Sequence, residues 1–319
     1  MALVEKHHEN SICRPGSKHS EFQIIERLGK SKAAVFLTYC PSENRYMALK
    51  MFEFHQDKIN ISYANEVRFL DLRHPNIIRM ESSCEKKRIF EKGQYSFCSY
   101  IMMEAAQYGD FTNLVMNTDM FKDEKLLRTY FHQLIAGIKF LHEKNMAHLD
   151  LKMDNLLLGS DFRLKITDFD SSYQKGDSIC LSRGTKNYRA PEIKSDNCDD
   201  PQAADAYSAG IILFVLKAKC FPYMEDVIVG GQNLYEDLQL GRNSFWTFHS
   251  QKLKTGTFED DFKDLFTLMV KEDPVERATL EEVKKSKWFL GPIYSQEELT
   301  EKIQPYLADF DLFEKKRVH

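Results

Sequence analysis

The chain has 319 residues, more than one hydrophobic core usually accommodates, so a body of two lobes is expected. Hydrophobic residues make up 43% and charged residues 29%, which is ordinary globular composition and excludes long disordered stretches in the body. The formal net charge of −4 provides no general basic field, which argues against nucleic acid as a partner.

Cysteine spacing and hydropathy predict the cellular compartment of the protein. The seven cysteines include no C-x-x-C pair, so neither a zinc site nor a dense disulfide framework is expected. The longest apolar run, residues 211–216, is far shorter than the roughly 20 residues that cross a bilayer. The first residues lack a signal-peptide pattern. These features predict a soluble, cytoplasmic protein with no membrane partner.

The first 104 residues predict a flexible arm followed by a small sheet with one helix. Residues 1–20 are polar and have no hydrophobic period, which is typical of an arm. One helical stretch is expected at 63–73. Strands are expected in four segments, 22–28, 33–39, 45–52 and 97–104. Residues 21–104 are therefore predicted to form a small β-rich lobe.

The pattern becomes helical after residue 104. Segment 205–216 is apolar nearly all round, which predicts a helix at the centre of a helical lobe, and Thr279-Leu-Glu-Glu282 is a capping box that starts another. Five apolar residues recur at helical spacing and predict one buried stripe: Leu127, Phe131, Leu134, Ile138 and Leu141. Residues 105–290 are therefore predicted to form a larger, mainly helical lobe.

A tail, 291–319, is predicted to contain a short amphipathic helix. Ser295-Gln-Glu-Glu298 is a second capping box, and apolar Ile303 and Leu307 follow it. Such a helix can dock on the larger lobe or inhibit it, and simple packing is the more frequent outcome.

One strand carries groups suited to a nucleotide. In Tyr46-Met-Ala-Leu-Lys50, the period of two places Ala48 and Lys50 on the same face. Ala48 leaves room for a flat base, while Lys50 can reach phosphate. Glu66, sixteen residues after Lys50 on the helical segment, is a carboxylate partner for that lysine. A single pair of this kind is weak evidence, because solvated surface charges are far commoner.

Three segments carry a family resemblance. They are His148-Leu-Asp-Leu-Lys-Met-Asp-Asn155, Lys165-Ile-Thr-Asp-Phe-Asp170 and Tyr188-Arg-Ala-Pro-Glu192. In this order and at these separations they resemble the signature of eukaryotic protein kinases: the H-R-D-x-K-x-x-N catalytic loop, the D-F-G triplet and the A-P-E end of the activation segment. The likeness extends over about residues 21–290. It implies an α+β, bilobal protein-kinase fold that uses ATP and Mg²⁺.

The resemblance assigns roles to residues of the second lobe. Asp150 resembles the carboxylate that orients the substrate hydroxyl and accepts its proton, while Asn155 and Asp168 resemble the Mg²⁺ ligands. Lys152 is similar to the lysine that contacts the transferring phosphate. Lys152 and Thr185, which in the family hydrogen-bonds the catalytic aspartate and lysine, are typical of serine/threonine kinases.

The resemblance also implies an ATP site and two structural anchors. Met103 corresponds to the gatekeeper. The implied ATP-binding residues are Lys50, Glu66, Gly29, Val35, Ala48, Glu104, Ala106 and Leu157, with Val35, Ala48 and Leu157 around the base and the backbone of Glu104 and Ala106 hydrogen-bonded to it. Asp205 is expected to anchor the catalytic-loop backbone. Arg277 is expected to pair with Glu192.

Four features depart from the family pattern. Only Gly29 remains of the three expected glycines in Leu28-Gly-Lys-Ser-Lys-Ala-Ala-Val35, which predicts weakened ATP affinity. Leu149 replaces the catalytic-loop arginine that pairs with an activation-loop phosphate, and Leu181 stands where a phosphorylated threonine often lies. Activity independent of that phosphorylation is therefore expected, with Ser178 and Ser182 interpreted as ordinary loop serines. Asp170 replaces the glycine of D-F-G and should disfavour flipping of Phe169.

Three functions are compatible with these residues. An active protein serine/threonine kinase is favoured because every catalytic position is filled. The alternative is a pseudokinase that acts as a binding or scaffold module, for which the poor glycine loop and Asp170 are the argument. A small-molecule kinase is less favoured, because the activation segment up to Glu192 ordinarily forms a platform for protein substrates.

Two acidic positions suggest a substrate preference. Asp110 and Asp154 resemble family positions that recognise an arginine three residues before the phosphoacceptor, and two carboxylates can hold one guanidinium. Asp110 is equally well explained as a ribose ligand or a helix cap. The second lobe is most similar to the calcium/calmodulin-dependent and AMP-activated kinase group. A monomer that acts on protein substrates is expected.

Overall fold

A computed structural model describes residues 22–28, 34–53, 58–91, 94–177, 184–194, 198–224, 228–229, 232–252 and 258–314. Gly29, Ser178, Leu181, Ser182 and the arm at 1–20 lie outside the described residues. The chain forms two compact units. One contains the described residues up to Gln107 together with those from Leu312 onward, and the other is Tyr108–Asp311. The first boundary follows Gln107 where the sequence suggested Glu104.

The first unit contains a five-stranded antiparallel sheet, with strand order β1-β2-β3-β5-β4. Its elements are β1 (Gln23–Leu28), β2 (Ala34–Cys40), β3 (Arg45–Glu53), α1 (Ile61–Glu66), β4 (Met80–Glu91) and β5 (Gln94–Glu104). The four expected strands are all present. β4 was missed, because its twelve residues are mostly polar. This composition suits a strand at the edge of the sheet, where few side chains need to be apolar.

One face of this sheet forms an apolar core. Met47 and Leu49 of β3 pack with Tyr100 and Met102 of β5, and Phe22 closes the same cluster. The alternation of β3 places Ala48 and Lys50 on the opposite face, as the sequence predicted.

Helix α1 is shorter than the predicted stretch 63–73. The Asn60 side chain accepts hydrogen bonds from the N–H groups of Ser62 and Tyr63, and the α-helix ends at Glu66. A 3₁₀ turn, Val67–Phe69, continues the chain. The prediction was too long because apolar residues spaced by three satisfy a 3₁₀ turn as well as an α-helix.

The second unit is mainly helical. Its helices are α2 (Phe111–Asn117), α3 (Glu124–Glu143), α4 (Pro191–Lys194), α5 (Pro201–Ala218), α6 (Leu234–Gln239), α7 (Asn243–Lys252), α8 (Asp260–Met269), α9 (Leu280–Lys285) and α10 (Gln296–Ile303). The predicted stripe of α3 is buried along its whole length, and α5 is buried on nearly every side. Both predictions are confirmed. No helix in the described part of the chain is long and apolar enough to span a membrane.

Short antiparallel strand pairs in this unit hold two of the three kinase-like segments. β6 (Met146–Ala147) pairs with β9 (Tyr173–Gln174), and β7 (Leu156–Leu158) pairs with β8 (Leu164–Ile166). A further pair joins β10 (Ile228–Val229) to β11 (Gln232–Asn233). The loop between β6 and β7 carries Asp150, and the loop between β8 and β9 carries Asp168.

The helix expected in the tail is present and docks on the second unit. Both hydrogen bonds of the predicted capping box form at Ser295. Lys302 of α10 pairs with Asp123 at 2.7 Å, and the Tyr294 hydroxyl donates to the same carboxylate at 2.8 Å. The tail is therefore packed in the way that the sequence favoured.

Candidate active site

The loop that carries Asp150 is held by a buried carboxylate on α5. Asp205 accepts hydrogen bonds from the backbone N–H of His148 at 2.8 Å and of Leu149 at 2.9 Å. Its side chain is fully buried. Leu149 has a φ of +62°, a strained value for a residue with a Cβ atom, and the bonds to Asp205 hold it there. The anchoring role expected of Asp205 agrees with this geometry.

The Asp150 carboxylate is oriented by three side chains. Its Oδ2 accepts hydrogen bonds from Lys152 Nζ at 2.8 Å and from Asn155 Nδ2 at 3.3 Å. Its Oδ1 accepts one from the Thr185 hydroxyl at 2.8 Å. Lys152 Nζ also donates to Thr185 Oγ1 at 3.0 Å. The aspartate, lysine and threonine therefore form one hydrogen-bonded cluster, as the resemblance implied.

Gly184 allows Thr185 to approach this loop. Its φ of +86° favours glycine, and a Cβ built there would collide with the Leu149 carbonyl oxygen. The Arg189 guanidinium donates to the Gly184 carbonyl from the other side of the turn. The close backbone approach explains why a glycine precedes the threonine.

The two residues predicted to bind metal fit Mg²⁺, because both can offer oxygen ligands. Nδ2 of Asn155 donates to the carbonyl of Asp150 at 2.9 Å as well as to its carboxylate, which leaves Oδ1 for a metal. The N–H of Thr167 donates to the Asn155 carbonyl at 3.0 Å, so the adjacent Asp168 is tied to the same backbone. A nucleotide-bound Mg²⁺ needs only one or two protein ligands.

The residue after Asp168 is locked in the core of the unit. Phe169 is completely buried, and its ring centroid lies 5.2 Å from that of His148. His148 Nε2 lies 2.9 Å from the Thr167 carbonyl oxygen, to which it donates. Asp170 is not among the described residues with positive φ, so an aspartate fits this position without backbone strain.

In the first unit, Lys50 and Glu66 form the expected pair. The Lys50 ammonium lies 2.5 Å from Glu66 Oε2, and the two side chains are 7% and 1% exposed. Val35 is directly opposite Lys50 in the β2–β3 ladder, which places Val35 on the face that Lys50 shares with Ala48. Three of the predicted ATP-binding side chains thus lie on one face of the sheet.

Glu104 ends β5, and Ala106 follows it in the same unit. The N–H of Glu104 donates to the Arg79 carbonyl at 2.9 Å, and its carboxylate accepts the N–H of Arg79 at 2.7 Å. The backbone at Glu104 is therefore fixed to Arg79, the residue before β4, and to β3, where Met47 pairs with Glu104. Adenine binding by Glu104 and Ala106 remains a prediction.

Asp110 caps a helix. The sequence allowed this role, that of a ribose ligand, or substrate binding. The Asp110 carboxylate accepts the N–H of Asn113 at 2.8 Å at the start of α2. Burial raises the pKa of Asp110, and the negative charge of Asp154 raises it further. The two carboxylates are therefore close enough to interact. Leu157, in the same unit, forms a β-bridge with Asp110.

The expected pair between Arg277 and Glu192 is present and bidentate. The two N–O distances are 2.5 and 2.8 Å, and both residues are buried. The Arg277 guanidinium also donates to the carbonyls of Ala203 and Lys271. Every donor is directed at an acceptor, which compensates for burial of the charge.

The sequence reasoning missed His142, in the last turn of α3. Its Nε2 donates to Asp205 Oδ2 at 3.0 Å, so it supports the carboxylate that holds the catalytic loop. The available signal was a histidine near the end of an amphipathic helix, six residues before His148. That signal alone does not distinguish a support from a surface residue.

Comparisons with known proteins agree with this geometry. A family model for the protein kinase domain matches residues 22–289. The chain is 34% identical over 241 residues to "CBL-interacting protein kinase 24" of Oryza sativa subsp. japonica, which covers 74% of this chain and 47% of that protein. It is 31% identical over 230 residues to "SNF-related serine/threonine-protein kinase" of Homo sapiens, covering 71% and 27%.

A third relative is the "Carbon catabolite-derepressing protein kinase" of Secale cereale, 31% identical over 230 residues that cover 69% of this chain and 40% of that protein. The chain therefore spans less than half the length of each of these relatives. The expected α+β fold class is confirmed by the antiparallel sheet of the first unit and the helices of the second. Since the family match includes most of the residues, the chain belongs to the protein kinase domain family.

Proposed function

We propose that this protein transfers the γ-phosphoryl group of ATP to serine or threonine hydroxyls of protein substrates, with Mg²⁺ as the metal. The observation that carries the proposal is the cluster around Asp150, whose two carboxylate oxygens are held by Lys152, Thr185 and Asn155. The names of the relatives, all protein kinases, also support it.

The proposed chemistry follows from the positions of these groups. Asp150 orients the incoming hydroxyl and accepts its proton, while Lys152 neutralises charge on the transferring phosphoryl group. Thr185 keeps both side chains in place through its hydroxyl. Positioning and charge neutralisation supply most of the catalysis in phosphoryl transfer, so a fixed cluster of this kind is suited to it.

The remaining polar groups suit the nucleotide and its metal. Asn155 Oδ1 and the Asp168 carboxylate would hold Mg²⁺, which would neutralise phosphate charge when bound. Lys50, paired with Glu66, would contact the phosphates of ATP. Gly29, Val35, Ala48, Glu104, Ala106 and Leu157 complete the proposed ATP site.

We further propose that activity does not require activation-loop phosphorylation. Leu149 occupies the position of the phosphate-binding arginine and is 7% exposed, so an apolar side chain replaces the cation there. In the assay described below, replacing both Ser178 and Ser182 with alanine should leave the rate unchanged. Loss of activity in that double variant would overturn this part of the proposal.

The substrate preference proposed for Asp110 and Asp154 is an arginine three residues before the phosphoacceptor. The charge of Asp154 contributes to the raised pKa of Asp110, which supports this preference, because two neighbouring carboxylates attract a shared guanidinium. A peptide array without preference at that position would refute it.

We propose that the protein acts as a cytoplasmic monomer.

The function is tested by radiolabel transfer from Mg²⁺-ATP to a generic basic peptide. The Asp150→Asn variant should lose about 100-fold or more of the rate, because the proton acceptor is removed. Asp161→Asn is the matched control, since Asp161 is a partly exposed carboxylate of the same unit, and it should retain activity. Equal transfer by the unmodified protein and Asp150→Asn would support the pseudokinase alternative.

A further inference from the structure

The last described residues of the chain return to the first unit. The preceding tail is anchored in the second unit, where Leu299, Ile303 and Leu307 are each at most 2% exposed. After Asp311 the contacts change, and residues from Leu312 onward belong with the first unit. The first unit thus includes a segment from the other end of this sequence.

Two contacts fix this segment, Leu312–Phe313, to the first unit. The N–H of Leu312 donates to the Gln107 carbonyl at 3.0 Å. The Phe313 ring stacks on Tyr46 of β3, with 4.6 Å between the ring centroids and 18° between the planes. The Tyr46 ring in turn packs against the ring of Tyr39 on β2, with 5.3 Å between the ring centroids. The segment therefore combines a backbone hydrogen bond with a row of three aromatic rings.

Both contacts lie beside the residues proposed to hydrogen-bond adenine. Gln107 directly follows Ala106 in the chain. Tyr46 directly precedes Met47, which is paired with Glu104 across the β3–β5 ladder. Leu312–Phe313 thus contacts the end of the Glu104–Gln107 segment and the strand that supports its beginning.

We propose that Leu312–Phe313 positions Glu104–Gln107 for nucleotide binding, with Phe313 and Tyr46 as positioning residues for ATP. This inference rests on the proposed function. A segment that is already ordered loses less conformational freedom when a ligand binds, so ATP binds more tightly. The two contacts are made with Tyr46 and Gln107, neither of which belongs to the proposed phosphoryl-transfer cluster of Asp150, so we expect them to affect binding of ATP and to leave the chemical step unchanged.

The test is steady-state kinetics on the full chain with Phe313→Ala. Because a stacked aromatic pair stabilises by an amount equivalent to about 2- to 12-fold in an equilibrium constant, KM for ATP should rise by that factor. The kcat and the KM for peptide should remain unchanged. Phe313→Tyr, which keeps the ring, should restore KM for ATP to its original value.

Phe97→Ala is the matched control. It removes the same ring from β5, the strand that ends at Glu104, at a position that is 41% exposed and distant in sequence from the tail. Its KM for ATP should not change. The double variant with Tyr46→Ala and Phe313→Ala should be no worse than Tyr46→Ala alone, because either change removes the stack.

Amide hydrogen exchange separates this inference from the proposed function. In Phe313→Ala, the amides of Glu104–Gln107 should exchange faster than in the unmodified protein and in Phe97→Ala. A protein without phosphotransfer but with this change in exchange would refute the proposed function and retain the positioning role. Unchanged exchange together with unchanged ATP affinity would overturn the positioning role, whether or not the protein transfers phosphate.

Discussion

Gly184 is a single residue on which the arrangement of the candidate active site depends. It combines a positive φ with a backbone approach that leaves no room for a Cβ beside the Leu149 carbonyl. Thr185, the next residue, holds Asp150 and Lys152. A side chain at position 184 would force the backbone to move away from the Leu149 carbonyl. That movement would displace the Thr185 hydroxyl, which positions Asp150 and Lys152.

We expect Gly184→Ala to reduce kcat/KM by about 10- to 100-fold, because misplacing a catalytic group by about 1 Å has effects of this size. Gly176→Ala is the matched control, since Gly176 also has a positive φ, +103°, but no atom lies within 4 Å of a Cβ built there. The control should lose only about 1 kcal/mol of stability. Equal kinetic losses in the two variants would contradict a role for the close approach.

At this scale, the sequence identified groups that lie close together in the chain. Asp150, Lys152 and Asn155 were predicted from one loop motif, and the resemblance supplied Thr185 and Asp168. His142 was missed because its bond to Asp205 joins positions 63 residues apart, a separation that no local spacing reveals. The collision at Gly184 depends on three-dimensional distance in the same way.

Helices α4 and α5 are joined to the turn before α9 by one buried arginine. Arg277 bonds to Glu192 on α4, to the Ala203 carbonyl on α5 and to the carbonyl of Lys271. Its guanidinium also lies over the Tyr207 ring at 4.9 Å. Removing this side chain would deprive the buried Glu192 carboxylate of its bidentate partner.

We expect Arg277→Met to lower the free energy of unfolding of the second unit by about 3 to 5 kcal/mol, measured by urea titration. Adding Glu192→Gln should recover part of the loss, because the buried negative charge is then removed. Lys287→Met is the control. It breaks the exposed pair with Asp261 and should change stability by less than about 1 kcal/mol. Similar losses at the two sites would contradict this account.

Elements were predicted well where burial fixed their pattern. The stripe of α3 and the apolar helix α5 follow directly from hydrophobic periodicity. β4 could not be found in this way, because an edge strand gains its order from pairing with β5 and carries few apolar residues. The end of α1 was also misplaced, because the apolar spacing continues through the 3₁₀ turn.

The stability of the whole molecule should depend on pH through buried histidine. His249 on α7 is 2% exposed, and its Nε2 donates to the Pro222 carbonyl at 2.7 Å. Burial, together with a smaller effect of the positive charge of Lys252, lowers the pKa of His249 to about 4. The unfolded chain therefore takes up this proton near pH 6.5, whereas the folded protein does so only near pH 4.

Between pH 4 and pH 6.5 the unfolded state binds more protons at this histidine than the folded state does. The contribution of neutral His249 to the free energy of unfolding should therefore be complete above pH 6.5 and decrease as the pH falls towards 4. The loss from His249 should reach about 3 kcal/mol. His249→Gln can still donate to the Pro222 carbonyl. In urea titrations at a series of pH values, this variant should show a smaller change in the free energy of unfolding between pH 6.5 and pH 4 than the unmodified protein does. His132, whose pKa burial also lowers, provides a second histidine for comparison through His132→Gln. An unchanged profile in His249→Gln would contradict the assignment.

The fold of the whole molecule was predicted through its motifs and not through hydrophobic periodicity. Periodicity indicated a β-rich part and a helical part, but only the three kinase-like segments identified the fold. The return of the tail to the first unit was not predicted. Its contacts join Leu312 to Gln107 and Phe313 to Tyr46, and no pattern within 312–314 indicates these partners.

That return has a consequence for biosynthesis. A ribosome makes the strands of the sheet first, then all of the second unit, and only afterwards Leu312 and Phe313. Domains generally fold as they emerge, the N-terminal one first, but here the first unit acquires its last contacts after its neighbour has been translated. A nascent chain will therefore lack the stack on the Tyr46 ring until Phe313 has been translated, which makes β2 and β3 a natural place for a chaperone to bind.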